Sequence, residues 1–194
     1  MNYLYLDIET VPVNKEKHQS YDEEERKKLI NPIDSKIIAI GLKSTIDNKI
    51  IILQKDNEKE MLEEFWKIFS DFRNNNGLTN RVVGFNIKSF DISFIVTRSY
   101  INSVAIVPFV LKEIIDIRDQ VTCFKRGPTR GTLKEFGEAI GVILVEDMDG
   151  SKVAETYWSG NIELIKTYLA KDLELTEKVH KKIIELGLDK IREW

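Results

Sequence analysis

Cysteine is almost absent. Cys123 stands alone, so no internal disulfide can form, and a reducing, cytoplasmic setting is the expectation. Histidine is nearly as scarce, with only His18 and His180. So few Cys and His residues exclude a zinc site of the usual Cys/His type and argue against a Cys-His or Ser-His nucleophilic triad. Long hydrophobic runs are missing too. The longest, Val104 to Leu111, contains Pro108 and is far too short for a membrane span. The N-terminus lacks a basic segment followed by an apolar stretch and a cleavage site, so it does not read as a signal peptide. Neither sign of charge dominates: 29 basic residues face 32 acidic ones, for a net charge of −3. That field does not advertise nucleic-acid binding. Any such affinity must come from a local basic patch or from bound divalent cations. A metal here would be held by carboxylates, which points to magnesium or manganese.

What remains is an ordinary globular balance, 42% hydrophobic and 31% charged over 194 residues, enough for a single domain spanning 1–194 with one sizeable core. The segment Tyr3 to Thr10 reads as an apolar strand that Pro12 ends. Residues 14–32 are polar, with a short exposed helix expected over Tyr21 to Ile30; the segment suits a flap over a substrate or a partner surface. Lys36 to Lys43 and Lys49 to Gln54 are β-branched runs joined by a turn at Asp47-Asn48, a hairpin pattern. Asp56 to Phe72 carries apolar residues at helical spacing, and Asn74 to Gly77 stops it. Arg81 to Phe85 reads as a strand, Phe90 to Ile101 as a helix, Glu113 to Ile117 as a further strand and Cys123 to Arg130 as a loop. Thr132 with Glu135 forms a capping-box signature for a helix over Leu133 to Ile140, with Gly141 after its end. Residues 146–150 read as a polar loop. Asn161 is placed to cap a long helix from Ile162 to Leu186, and Gly187 to stop it. This order predicts an α/β domain, a mixed sheet with helices packed against it.

Three places carry chemistry. Asp7 and Glu9 are two apart on the first strand, so both project from one face. Two like charges there are costly unless a cation neutralises them. The same spacing recurs at Asp22/Glu24, Asp56/Glu58 and Asp172/Glu174, where a solvated surface pair is the plainer reading. Next, a strand runs into Asn86 and a helix opens at Asp91, an acid that also suits the helix dipole. Asn86 itself suits a loop bonding to nearby backbone. Finally, Tyr168 and Asp172 share a face of the last helix, beside a stripe of Ile162, Ile165, Leu169, Leu173 and Val179 that also suits simple packing.

Taken in order, Asp7-Ile-Glu9-Thr10, Asn86-Ile-Lys-Ser-Phe90-Asp91 and Tyr168-x-x-x-Asp172 resemble the three exonuclease motifs of the DEDD superfamily, in its tyrosine-containing branch. The pattern is similar above all to the proofreading exonuclease domain of family-B DNA polymerases and their stand-alone relatives. The likeness runs from residue 3 to about 180. Arg98 falls where an arginine often follows the second motif, and 133–141 and 150–161 resemble the family's approach to the third. The histidine branch does not fit, because His180 lies two turns beyond Asp172.

The resemblance implies a ribonuclease-H-like fold and a 3′–5′ exonuclease using two magnesium or manganese ions. Asp7, Glu9, Asp91 and Asp172 would be the metal-binding carboxylates and Tyr168 would hold the attacking water. A phenol with pKa near 10 is a poor base at neutral pH, so orientation is favoured over proton removal. Asn86 and the Thr10 backbone would meet the substrate. Apart from the resemblance, the loop with Lys125, Arg126 and Arg130 is the most basic short stretch, suited to tracking phosphates and equally to a solvated charged surface. The expected substrate is DNA rather than RNA, single-stranded or frayed, with a possible protein partner in replication or repair, since no polymerase domain follows Trp194. Two other readings stay open: a binding module of the same fold without catalysis, and a nuclease that trims RNA or short oligonucleotides.

Overall fold

Strand alternation in the first segment yields β1 (Asn2–Pro12), and the rest of the sheet assembles around it. The computed structural model describes residues 1–74, 80–127, 131–142 and 148–191. The hairpin expected around Asp47-Asn48 is β2 (Ser35–Ser44) and β3 (Ile50–Leu53). Asn48 takes a left-handed φ of 56° in its turn, a conformation asparagine tolerates better than most residues. β4 (Asn80–Gly84) and β5 (Ile114–Asp116) complete a five-stranded sheet ordered β3-β2-β1-β4-β5. β1, β2 and β3 pair antiparallel, while β4 and β5 run parallel to β1. The sheet is mixed, as the sequence predicts.

Eight α-helices are present among the described residues: α1 (Lys15–Ser20), α2 (Glu23–Lys28), α3 (Glu58–Asn74), α4 (Asp91–Ile101), α5 (Ile117–Val121), α6 (Leu133–Ala139), α7 (Val153–Trp158) and α8 (Ile162–Glu185). The even residues of β1, Leu4, Leu6 and Ile8, face α3 and α4. There they join Phe65, Phe69 and Ile95 in the main core. Each such side chain contributes about 1.5–3 kcal/mol by leaving water. The odd residues face α8. Tyr5 joins Leu173 and Val179, and further along the strand Val11 joins Ile165 and Tyr168.

Two polar ties and one glycine fix α8 on that face. The Tyr5 hydroxyl pairs with His180 Nδ1 at 3.1 Å, and burial pushes His180 down to about 4, so the ring is a neutral packing group. Lys43, opposite Tyr5 on β2, pairs with Glu177 at 2.6 Å. Gly41 lies opposite Asp7, and a Cβ there would sit 2.8 Å from Leu169 Cγ and 2.9 Å from Leu173 Cδ1. The missing side chain lets α8 approach the sheet beside Asp7. Gly41→Ala is therefore expected to lower stability by about 1–3 kcal/mol through overpacking, measured by urea unfolding. An unchanged midpoint would mean the leucines give way freely.

Several elements differ from the sequence expectation. Residues 14–32 hold two short helices rather than one, and both are tied down. Leu29 is buried, His18 packs edge-on against Trp158 at 5.0 Å between ring centres, and Ser35 Oγ donates to the Leu29 carbonyl. Arg98 belongs to the same bracing. It grips Glu58 with Nε and Nη2, at 3.0 and 2.5 Å, and donates to the Pro32 carbonyl. The strand expected over Glu113 to Ile117 is only three residues, because Asp116 turns the chain straight into α5. α5 and α7 were not expected at all. Each has six residues or fewer, too short to hold as an isolated helix, so packing of Ile117, Val153 and Ala154 stabilises them. Asn161 sits at the N-cap of α8 but makes no side-chain capping bond. The capping box of Thr132 and Glu135, and the left-handed stop at Gly187, are as expected. Arg130, Asn75 to Gly77, and residues 146–147 of the 146–150 loop lie outside the described residues.

Candidate active site

Residues two apart on β1 share a face, and that face meets α8. Asp7, Glu9 and Asp172 consequently offer carboxylate oxygens that all lie within 4.8 Å of one another. Glu9 and Asp172 are buried and Asp7 is half-buried. A β-bulge lies beside them: the register slips by one between Glu9/Ala39 and Thr10/Ile37, which makes Ile38 the extra residue on β2. Bulges of this kind re-aim strands next to active sites. Thr10 follows the slip and is half-buried.

Asp91 arrives from the other side. β4 pairs with β1 only as far as Tyr5 and then departs, leaving the Ile8 N–H without a strand partner on that edge. Asp91 Oδ1 accepts that N–H at 3.1 Å. The carboxylate thus takes the place of the missing strand, from the first helical position after Phe90. Asp91 is 2% exposed and lies beside Asp7, whose proton affinity its charge helps to raise. Asp91 does not belong to the three-carboxylate group but touches it through Asp7.

Packing like charges out of water raises their proton affinity. Burial, then the charges of Asp91, Asp172 and Glu9, hold Asp7 well above the usual carboxylate range. Burial, then Asp172 and Asp91, do the same to Glu9, with Lys134 pulling the other way. Burial pushes Asp91 to about 7, against hydrogen bonds that favour its ionised form. Burial first, then Asp172 and Glu9, push the Tyr168 phenol up, and its hydroxyl is hydrogen-bonded to Asp172. It remains a proton donor at neutral pH. Such a group of acids is uncomfortable on its own, and its all-oxygen donor set suits a hard divalent cation.

The five residues Asp7, Glu9, Asp91, Tyr168 and Asp172 therefore converge, although they come from three separated segments. The repeated Asp-x-Glu pairs part company here. Asp22 caps α2 through the Glu25 N–H, and Glu58 clamps Arg98. Lys125 and Arg126 are exposed on the loop after α5. Asn86 adopts a left-handed φ of 58°, with its N–H donated to Asp116. Phe90 packs against Phe94, with ring centres 5.0 Å apart.

Sequence reasoning missed two neighbours of the site. Lys134, on the first turn of α6, holds its ammonium 5.0 Å from the Tyr168 ring centre and donates to the Met148 carbonyl at 3.3 Å. Nothing in an amphipathic helix marks one lysine as facing an acid cluster. Asp116, at the end of β5, is buried and accepts three backbone N–H groups. Local sequence marks it only as an acid closing an apolar strand before a helix.

Comparison with known proteins bears on the fold. Among curated proteins none matches the chain. A family B DNA polymerase from the hyperthermophilic archaeon Pyrobaculum calidifontis is similar in structure, with a TM-score of 0.70 and 16% identity. The likeness covers 97% of this chain and 25% of the polymerase, so the chain spans about a quarter of its length. Among the described residues no helix is long and apolar enough to cross a membrane. The RNase_H superfamily, in its RNase_H_2 family, matches residues 27–183, which take in Asp91, Tyr168 and Asp172 but begin after Asp7 and Glu9. Since that match includes β2 to β5 and nearly all of α8, the chain belongs to the RNase H superfamily.

Proposed function

We propose that the protein is a 3′–5′ exonuclease that hydrolyses the terminal phosphodiester of a DNA strand with two divalent cations, magnesium or manganese. The observation that carries the reading is the convergence of Asp7, Glu9 and Asp172, with Asp91 held beside them on the Ile8 N–H and Tyr168 beside Asp172. The RNase H-like fold and the likeness to a DNA polymerase support it. The four carboxylates would hold the ions. Bound there, divalent cations would supply charge stabilisation to the attacking and leaving oxygens at phosphorus. Tyr168 keeps its proton and orients the attacking water by hydrogen bonding. Lys134 lies beside the acids and adds positive charge where a phosphate enters. Thr10, Asn86, Lys125 and Arg126 are the proposed strand contacts.

The test is degradation of a 5′-labelled single strand with magnesium, manganese or EDTA. A metal-dependent ladder shortening from the 3′ end is expected, and a matched RNA strand is expected to react more slowly. Binding without cleavage under any metal would replace the exonuclease with a binding module. Faster loss of RNA would reassign the substrate.

Tyr168→Phe separates the water-orienting role from metal binding. The ring packs in its cluster with Val11 and Ile165 unchanged, so the fold is expected to hold. The turnover rate is expected to fall by about 10²-fold, with unaltered manganese affinity in isothermal titration. A loss of metal affinity instead would make the phenol part of the metal site.

A further inference from the structure

We infer that Asp116, a carboxylate outside the acid cluster, is a positioning residue that sets Asp91 in place as a metal ligand. The inference rests on the proposed metal-binding role of Asp91. α4 begins without any side-chain cap, and Phe90 before it has φ −118° and ψ −80°, so the start of that helix is not fixed by its own sequence. It is fixed from across the sheet. Asp116 is the last residue of β5 and pairs in register with Gly84, the last residue of β4. Its Oδ1 accepts the Asn86 N–H at 2.9 Å and the Arg118 N–H at 3.1 Å. Its Oδ2 accepts the Lys88 N–H at 3.2 Å.

Two of those donors belong to the loop between β4 and α4. Asn86 is held there in the left-handed region, φ 58°, a conformation that asparagine tolerates better than most residues with a side chain. From this pinned turn the chain closes on itself. The Asn86 carbonyl accepts from Phe90 N at 3.0 Å, and the Ile87 carbonyl accepts from Ile92 N at 2.9 Å. Asp91 lies between Phe90 and Ile92, and its side chain reaches Ile8 N on β1. Asp116 therefore fixes the loop, the loop fixes the first turn of α4, and that turn aims Asp91 at Asp7.

A carboxylate is the side chain this task requires. Both oxygens accept, and together they take three N–H groups. Asparagine has one acceptor oxygen and would turn an N–H toward Lys88 N–H. Alanine removes all three bonds. Groups that orient metal ligands typically change metal affinity by about 10–100-fold when mutated.

The experiment measures manganese binding without substrate, by calorimetry and by the electron paramagnetic resonance of free Mn²⁺. Wild type, Asp116→Asn, Asp116→Ala, Asp91→Asn and Arg98→Ala are compared. Asp116→Ala is expected to weaken binding about 10–100-fold, and Asp116→Asn severalfold. Arg98→Ala, which loosens α4 at its other end, is expected to bind like wild type. If Asp116→Ala does not fold, Asp116→Asn carries the test, and wild-type affinity in that variant overturns the inference. Equal weakening in Arg98→Ala would also overturn it, since general loosening would then explain the effect. Asp91→Asn keeps the two ideas apart. If it too binds like wild type, the metal role of Asp91 fails. If it binds weakly while both Asp116 variants do not, only the positioning role fails.

Discussion

Asp7→Asn is expected to abolish strand degradation, with a rate at least about 10³-fold below wild type, and yet to give a metal-free protein that unfolds at a higher temperature. The two effects share one cause. Asp7 is pressed among Asp91, Asp172 and Glu9, and burial and those charges hold its carboxyl well above its ordinary range. To fold, the metal-free chain must bury a charge there or take up a proton. Asparagine has the same shape and does neither. In the proposed exonuclease, cations would relieve that repulsion, and the amide would lack the charge that holds them. Metal stabilisation of the transition state is worth several kcal/mol, and each 1.36 kcal/mol is tenfold in rate. Ladder assays and thermal melts in EDTA test the halves separately. Activity within tenfold of wild type would remove Asp7 from the reaction. A lower melting temperature would mean that packing, not repulsion, dominates at this position.

Much of this site is legible in the sequence because its parts obey short-range rules. Asp7 and Glu9 fall on one face by strand alternation, and Tyr168 and Asp172 on one face by helical spacing. The order of the motifs selects Asp7 and Glu9 from other Asp-x-Glu pairs, of which two prove structural: Asp22 is a cap and Glu58 an Arg98 clamp. What escapes is long-range. Asp116 meets its loop partners across 30 and 28 residues of chain, and from local text it reads only as the cap of α5. Lys134 gains its meaning from the crossing of α6 and α8, which no periodicity encodes. α1, α5 and α7 are too short for propensity to announce. The anchoring of residues 14–32 depends on Arg98, an arginine that the sequence pattern flags without saying what it grips. The vacancy at Gly41 is similarly silent until α8 is seen against it.

In EDTA, the wild-type protein is expected to lose stability as pH rises from about 4 to about 7, and Asp91→Asn to lose less. The direction follows from Asp91, whose carboxyl rises from an ordinary 3.8 to about 7 in the fold. Below 3.8 both folded and unfolded chains carry the proton, and the contribution is fully present. Between the two values the unfolded chain releases a proton that the folded one retains. Above 7 the folded chain must ionise a buried acid, and the contribution is gone. Each proton so retained changes stability by about 1.4 kcal/mol per pH unit, and Asp91 shares this titration with Asp7, to which it is coupled. Other groups act in the opposite sense. Glu177, held below its usual range despite burial by hydrogen bonds from Lys181 and Lys43, loses stabilisation as pH falls. The difference between wild type and Asp91→Asn isolates the cluster from such groups. Magnesium or manganese is expected to reverse the trend, because protons compete with the cation for the same oxygens. An ion at a hundred times its dissociation constant adds about 2.7 kcal/mol, and the dissociation constant falls as the carboxylates ionise. The metal-induced rise in melting temperature should therefore grow from pH 5 to pH 8. A rise that is the same at every pH would show that the cation binds elsewhere, and no rise at all would remove the metal from the site.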